Sequence, residues 1–132
     1  MDLKGINRYQ HFGLSTAWIE HFFTMRNDCW TSKEYGNRQY DSLRVWLREA
    51  EIINSNARSS EYGQITSIGE CLIELGPYNP LTWAVIWTHL VYNSILMKWY
   101  AFCVPAGESY DRNDLVTMLG DSFAEATRSN AI

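Results

Sequence analysis

The fold is decided by residues 38–53, RQYDSLRVWLREAEII, together with residues 64–76, QITSIGECLIELG. In the first stretch, apolar side chains recur every three or four positions, which predicts an amphipathic helix over 38–50. The residues on its apolar face are Tyr40, Leu43, Trp46, Leu47 and Ala50. The second stretch repeats this period through Ile68, Cys71, Leu72 and Leu75, which predicts a helix over 67–75 that ends at Gly76.

The segment between these helices has the composition of a loop. Residues 54–63, NSNARSSEYG, are small and polar, and they separate the Ile52–Ile53 pair from the short run 64–66, so that a β-hairpin is predicted. Upstream, Ser15 is placed to cap a helix that Asn27 and Asp28 end, and a short turn or helix is expected over 31–35. Three helices plus a small β-hairpin predict a winged-helix-like part over 13–76.

Residues 77–132 predict a C-terminal helical extension. Asn79 and Pro80 are a strong helix start, and a long aromatic helix follows with a break suggested near Asn93. Asp111 should cap a short helix, and Ser122 should begin another that continues beyond Ile132. The sequence therefore predicts one mainly α domain, made of a leader (1–12), the winged-helix-like part (13–76) and the extension (77–132).

Composition excludes several classes of protein. Hydrophobic residues make up 46 % and charged residues 20 % of the 132 residues, which is typical of a globular domain. Three widely spaced cysteines and three histidines form no CxxC, HxxxH or HExxH motif, so zinc sites and disulfides are not expected, and a reducing, cytoplasmic location is predicted. Residues 1–10 cannot be a signal peptide, and polar residues interrupt the apolar run 81–104, which predicts a buried helix and no membrane association.

The sequence offers no catalytic constellation and no cofactor site. It has no GxxxxGK[ST], GxGxxG or GxSxG motif. Glu20 and His21 diverge on successive helical positions, so His21 is interpreted as a half-buried residue at a helix edge and His89 as a hydrogen-bonded core residue. The three cysteines are interpreted as structural, and the Glu70–Glu74 pair as a solvated face.

Two sets of residues are candidates for contacts with partners. In a winged helix, helix 38–50 and the wing would present the DNA-contact candidates Arg38, Ser42, Arg44, Arg48 and Arg58. Acidic residues interrupt them, and the net charge falls from +1 over residues 1–58 to −5 over 59–132, which disfavours a polyanion partner. The candidates for an interaction surface are Trp83, Trp87, Trp99 and Tyr100, since exposed aromatic residues often anchor interfaces. One core is expected to contain Trp18, Phe22, Tyr40, Leu43, Trp46, Leu47, Ile68 and Leu72.

Four segments carry a resemblance to a known group of proteins: HFGLSTAWIEHFF (11–23), YDSLRVWLREAEII (40–53), ITSIGECLIELG (65–76) and NPLTWAVIWTHLVYNSILMKWYAFCVP (79–105). They resemble the helical region downstream of the catalytic domain in bacterial phosphoadenosine-phosphosulfate (PAPS) reductase-like proteins. They are also similar to a family of unknown function whose genes accompany such proteins in DNA phosphorothioation clusters. The ATP-pyrophosphatase loop and the cysteines of the catalytic domain are absent here, so the resemblance carries over no active-site residue.

The resemblance implies a non-catalytic accessory module of a PAPS reductase-like protein. Such a module would position a partner domain, a substrate or a nucleic acid, and its partner would be the catalytic domain of the same or a neighbouring protein. The alternative is a winged-helix DNA-binding regulator that uses helix 38–50. A small stand-alone enzyme is a third class, which a deep polar pocket with clustered His, Cys or Glu would favour.

Overall fold

The computed structural model describes residues 13–54 and 63–130, and this part of the chain is mainly helical. The helices are α1 (Thr16–Met25), a 3-10 helix (Arg26–Thr31), α2 (Asn37–Glu49), α3 (Ser67–Leu75), α4 (Pro80–Asn93), α5 (Ile95–Cys103) and α6 (Arg112–Asn130). Within the described residues, every helix is too short or too polar to cross a bilayer.

Side-chain caps fix where most of these helices begin. The Oγ of Ser15 accepts from the Trp18 N–H at 3.3 Å, and Asn79 Oδ1 accepts from the Leu81 N–H at 2.9 Å. Ser94 ends α4 and its Oγ accepts a hydrogen bond at the start of α5, so the predicted break near Asn93 is confirmed. The predicted cap Asp111 is also confirmed, because its Oδ1 accepts from the Asp114 N–H at 2.8 Å.

Two predicted boundaries are wrong, and a third prediction is met only in part. Helix α1 ends at Met25, before Asn27, because Arg26 turns the chain with a φ of 53°. The short turn or helix expected over 31–35 is a series of bends at Ser32, Glu34 and Tyr35, and the short helix of this region lies earlier, as the 3-10 helix Arg26–Thr31. Ser122 begins no new helix, because α6 is continuous from Arg112 to Asn130 and the Ser122 Oγ accepts from Trp99 Nε1 at 3.0 Å.

The place of the predicted hairpin contains one antiparallel bridge, between Ile53 and Ile65, and no strand is found in the described residues. The Asn54 N–H donates to the Gln64 carbonyl at 2.8 Å, and the Thr66 N–H donates to the Ile52 carbonyl at 2.9 Å. The rest of the predicted wing, residues 55–62, lies outside the described residues. The bridge brings α3 next to the end of α2.

One hydrophobic core contains side chains from residues 13–76 and from the C-terminal extension. It contains seven of the eight predicted residues, which are Trp18, Phe22, Tyr40, Leu43, Trp46, Leu47 and Leu72, and it adds Ile86 and Leu90 from α4. The eighth, Ile68, is 38 % exposed. The buried side of α3 is instead Gly69 and Leu72, because a Cβ at position 69 would overlap the Ile52 carbonyl. Glycine thus permits a close approach that turns Ile68 towards solvent.

Candidate interaction surface

Helix α2 presents only part of the arginine face that the sequence predicts. Arg38 is exposed at its first turn, whereas Ser42 is fully buried, so the prediction that Ser42 contacts DNA is wrong. The reason is helical geometry: Ser42 precedes the buried Trp46 by four residues and is rotated from it by only about 40°. Its small side chain therefore lies within the packed face of α2.

The Arg44 side chain contacts Trp30 and Asp41 of the same chain. Its guanidinium carbon lies 5.0 Å from the centre of the Trp30 ring, and its Nη1 lies 3.5 Å from Asp41 Oδ1. The side chain is mostly buried by these contacts, so a phosphate would compete with a cation–π interaction and an ion pair. Arg48 is half-buried, and Arg58 lies outside the described residues. The arginines of α2 therefore do not form a continuous exposed basic face.

The four aromatic candidates for an interaction surface differ in how far their side chains are exposed. Trp99 is 3 % exposed, and its indole N–H is satisfied by Ser122 on α6, so the prediction that Trp99 lies on a surface is wrong. A buried indole needs such a partner, and α6 supplies it. Trp83 is half-buried and donates through Nε1 to the Pro77 carbonyl at 2.7 Å, which holds the turn before α4.

Trp87 on α4 and Tyr100 on α5 form an exposed aromatic pair. Their exposed fractions are 44 % and 43 %, and their rings meet edge to face with centroids 6.2 Å apart. This arrangement is favourable for aromatic pairs and fixes both rings before a partner binds. Both residues, which the sequence offered as candidates for an interaction surface, are thus exposed and lie side by side across the α4–α5 junction.

A polar cluster that the sequence did not reveal joins α1 to α2. His21 is buried, with Nε2 at 3.1 Å from Tyr40 Oη and 3.3 Å from Ser32 Oγ, and with Nδ1 at 3.1 Å from Glu34 Oε2. The ring of Tyr35 meets the imidazole edge to face at 5.0 Å. His21 therefore lies deeper than the half-buried helix edge predicted for it.

Ser32, His21 and Glu34 have the residue types of a hydrolase triad, but their hydrogen bonds favour a structural role. The Ser32 Oγ also lies 2.6 Å from Tyr40 Oη and donates to the Cys29 carbonyl at 2.9 Å. A serine proton directed to a backbone carbonyl is not directed to the histidine base that would have to accept it. The cluster instead fixes the turn between the 3-10 helix and α2.

A second histidine, His89, connects α4 to the end of α2. His89 is half-buried on α4; its Nδ1 lies 2.9 Å from the Val85 carbonyl and its Nε2 lies 3.0 Å from Glu51 Oε2. Close by, Asn93 donates to the Glu49 carbonyl at 2.9 Å. These contacts join α4 to the end of α2. The prediction that His89 is hydrogen-bonded is therefore confirmed, whereas the predicted core position is wrong, because His89 is only half-buried.

The cysteines differ in their surroundings. Cys29 is fully buried, and burial raises the pKa of its thiol to about 12, so it is an inert core residue. Cys71 and Cys103 are exposed, so burial supports the structural role predicted for the three cysteines at Cys29 alone. Among the described residues, no group of three or more His, Cys, Asp or Glu side chains is arranged to hold a metal ion.

Comparison with known proteins gives no match, whether against models of protein families, curated proteins or solved structures.

Proposed function

We propose that this chain is a non-catalytic, cytoplasmic accessory module that docks onto the catalytic domain of a PAPS reductase-like protein. The single observation that carries the docking role is the exposed Trp87–Tyr100 pair. Two adjacent, pre-oriented aromatic rings supply contact area with little loss of side-chain entropy on binding. The identity of the partner rests on the four segments that resemble such proteins.

Other apolar side chains are also exposed over residues 77–125. They include Leu81, Tyr92, Phe102 and Val116. Single exposed apolar residues are common on protein surfaces, but the paired rings on two helices form a defined anchor. The net charge of −5 over residues 59–132 favours a partner surface that is basic around an apolar centre.

The test is co-purification of the tagged chain with the catalytic domain of a neighbouring PAPS reductase-like protein. We expect capture by the wild-type chain and a loss of about tenfold or more in affinity for Trp87→Ala combined with Tyr100→Ala, as for hot-spot residues. Phe102→Ala is the matched control, because Phe102 is exposed on α5 but is rotated about 200° from Tyr100. Absence of capture, or equal losses for both variants, would refute the docking role.

The second candidate is a winged-helix DNA-binding regulator, in which residues 13–76 form the winged helix. The observation that favours it is the Ile53–Ile65 bridge between α2 and α3, where a winged helix has its wing, together with the exposed Arg38 at the start of α2. A duplex titration at about 50 mM and 200 mM salt tests this candidate, since phosphate contacts lose affinity steeply with salt. Micromolar binding at the higher salt that falls on Arg38→Ala, without capture of the catalytic domain, would favour the regulator.

A further inference from the structure

Helices α5 and α6 form the two walls of an apolar groove with a volume of about 470 Å³. The apolar side chains that line these walls are Leu96, Met97 and Tyr100 on α5 and Leu115, Val116 and Leu119 on α6. The groove is open to solvent along α6, where Val116 is 61 % exposed, and the buried Trp99 lies at its floor. Because the indole N–H of Trp99 already donates to Ser122, that atom is no free donor, and an occupant must place hydrocarbon against the floor.

The length of the groove matches the contact face of an α-helix. On α6 the lining residues run from Arg112 to Leu119, a span of seven residues, which is about 10 Å of helix. An amphipathic helix that binds in a groove places its apolar side chains at i, i+3, i+4 and i+7, and these cover the same distance. Both walls are helices, so they offer no strand edge to which an extended segment could add. The groove therefore fits a helix that contributes apolar side chains.

Charged residues at one end of the groove give that end a net negative charge. Asp111 and Arg112 both line the groove. The Asp114 carboxylate lies beside them and accepts from the Asp111 N–H at 3.1 Å. Glu108 accepts from Tyr110, another lining residue, at 3.2 Å. These three carboxylates and one guanidinium sum to −2, so the start of α6 is complementary to a partner that carries lysine or arginine.

The groove adjoins the aromatic pair that carries the proposed docking role. The ring of Tyr100 meets the ring of Trp87 with centroids 6.2 Å apart, and Tyr100 also lines the groove. We propose, on the basis of that docking role, that the groove binds an amphipathic, basic helix of the partner. The apolar face of this helix lies between α5 and α6, and its cationic side chains lie over Asp111.

Isothermal titration calorimetry of the chain with a designed peptide tests the proposal. The peptide has about 15 residues, with leucine at i, i+3, i+4 and i+7 and lysine on the opposite face, and a second peptide carries glutamate in place of lysine. We expect saturable, one-site binding of the basic peptide, and binding of the acidic peptide that is at least about tenfold weaker.

Two carboxylate variants test the charge of the groove. Asp111→Asn should weaken binding of the basic peptide about two- to fivefold, because asparagine keeps an acceptor for the Asp114 N–H and removes only the charge. Glu74→Gln is the matched control: it removes an exposed carboxylate on α3, outside the groove, and should leave the affinity unchanged.

Leu119→Trp tests the position of the bound helix. The larger side chain should fill the groove and weaken binding of the basic peptide about tenfold or more. The melting temperature should stay within a few degrees of wild type, because Leu119 is half-buried beside open space. Phe102→Trp is the matched control, since Phe102 is 70 % exposed on α5 and does not line the groove.

Several outcomes would overturn the proposal: absence of saturable heat with the basic peptide, equal binding of the two peptides, or equal losses for Leu119→Trp and Phe102→Trp. In the co-purification assay, capture that is lost on combining Trp87→Ala with Tyr100→Ala but is unchanged by Leu119→Trp would overturn the helix in the groove and leave docking standing. Absence of any capture would refute the docking role itself, and the peptide titration would still decide whether the groove binds a basic helix.

Discussion

Leu47→Ala tests whether the buried face of α2 organises the core. The Leu47 side chain is fully buried among residues from α1, α2 and α4, and its backbone carbonyl accepts from the N–H groups of Ile52 and Ile53. The substitution removes three carbon atoms, worth about 2.4 kcal/mol at roughly 0.8 kcal/mol each. The cavity left behind raises the expected loss in the free energy of unfolding to about 2–5 kcal/mol.

Urea unfolding followed by tryptophan fluorescence measures this loss, since Trp46 and Trp18 lie in the same core. Ile68→Ala is the matched control: it is a similar truncation on α3, but the side chain is 38 % exposed, so the expected loss is below about 1 kcal/mol. A loss under about 0.5 kcal/mol for Leu47→Ala, or equal losses for the two variants, would refute the packing described here.

Four further tests address the Asn79 cap, the polar cluster and the buried thiol. Asn79→Ala should lower stability by about 1 kcal/mol, because the Leu81 N–H loses its acceptor; thermal unfolding by circular dichroism would show an unchanged midpoint if the cap were unimportant. Tyr40→Phe should cost about 1–3 kcal/mol in urea unfolding, because the buried His21 loses a hydrogen-bond partner, and a neutral result would contradict the cluster. Iodoacetamide at pH 8 should label Cys71 and Cys103 but not Cys29, as read by mass spectrometry. The pKa of the Cys29 thiol is its ordinary 9.0 in the unfolded chain and is raised to about 12 in the folded chain. The free energy of unfolding should therefore keep its full contribution from this thiol below pH 9 and should lose it as pH rises from about 9 to 12.

The features that the sequence predicted well depend on neighbours within a few residues. The caps at Ser15 and Asn79 each bind an N–H two or three residues onward, and the apolar face of α2 follows from a regular period over thirteen residues. Such signals are local, so they can be read without knowing the tertiary structure.

The features that it missed depend on residues far apart in the chain. The period of α3 suggested that Ile68 is buried, but the approach of Gly69 to the Ile52 carbonyl rotates the helix. In α4 and α5, apolar residues occur on every side, so the period could not separate the buried Trp99 from the exposed Trp87. The prediction for Trp99 needed Ser122, which lies 23 residues further along the chain.

The burial of Trp99 determines which residues of α5 can serve in docking. Because its indole donates to Ser122 and is buried, Trp99 is not available to a partner. Tyr100, the next residue, is rotated about 100° on α5, and its exposed ring meets Trp87 on α4. The residue that follows the buried indole therefore supplies the ring on which the proposed docking depends.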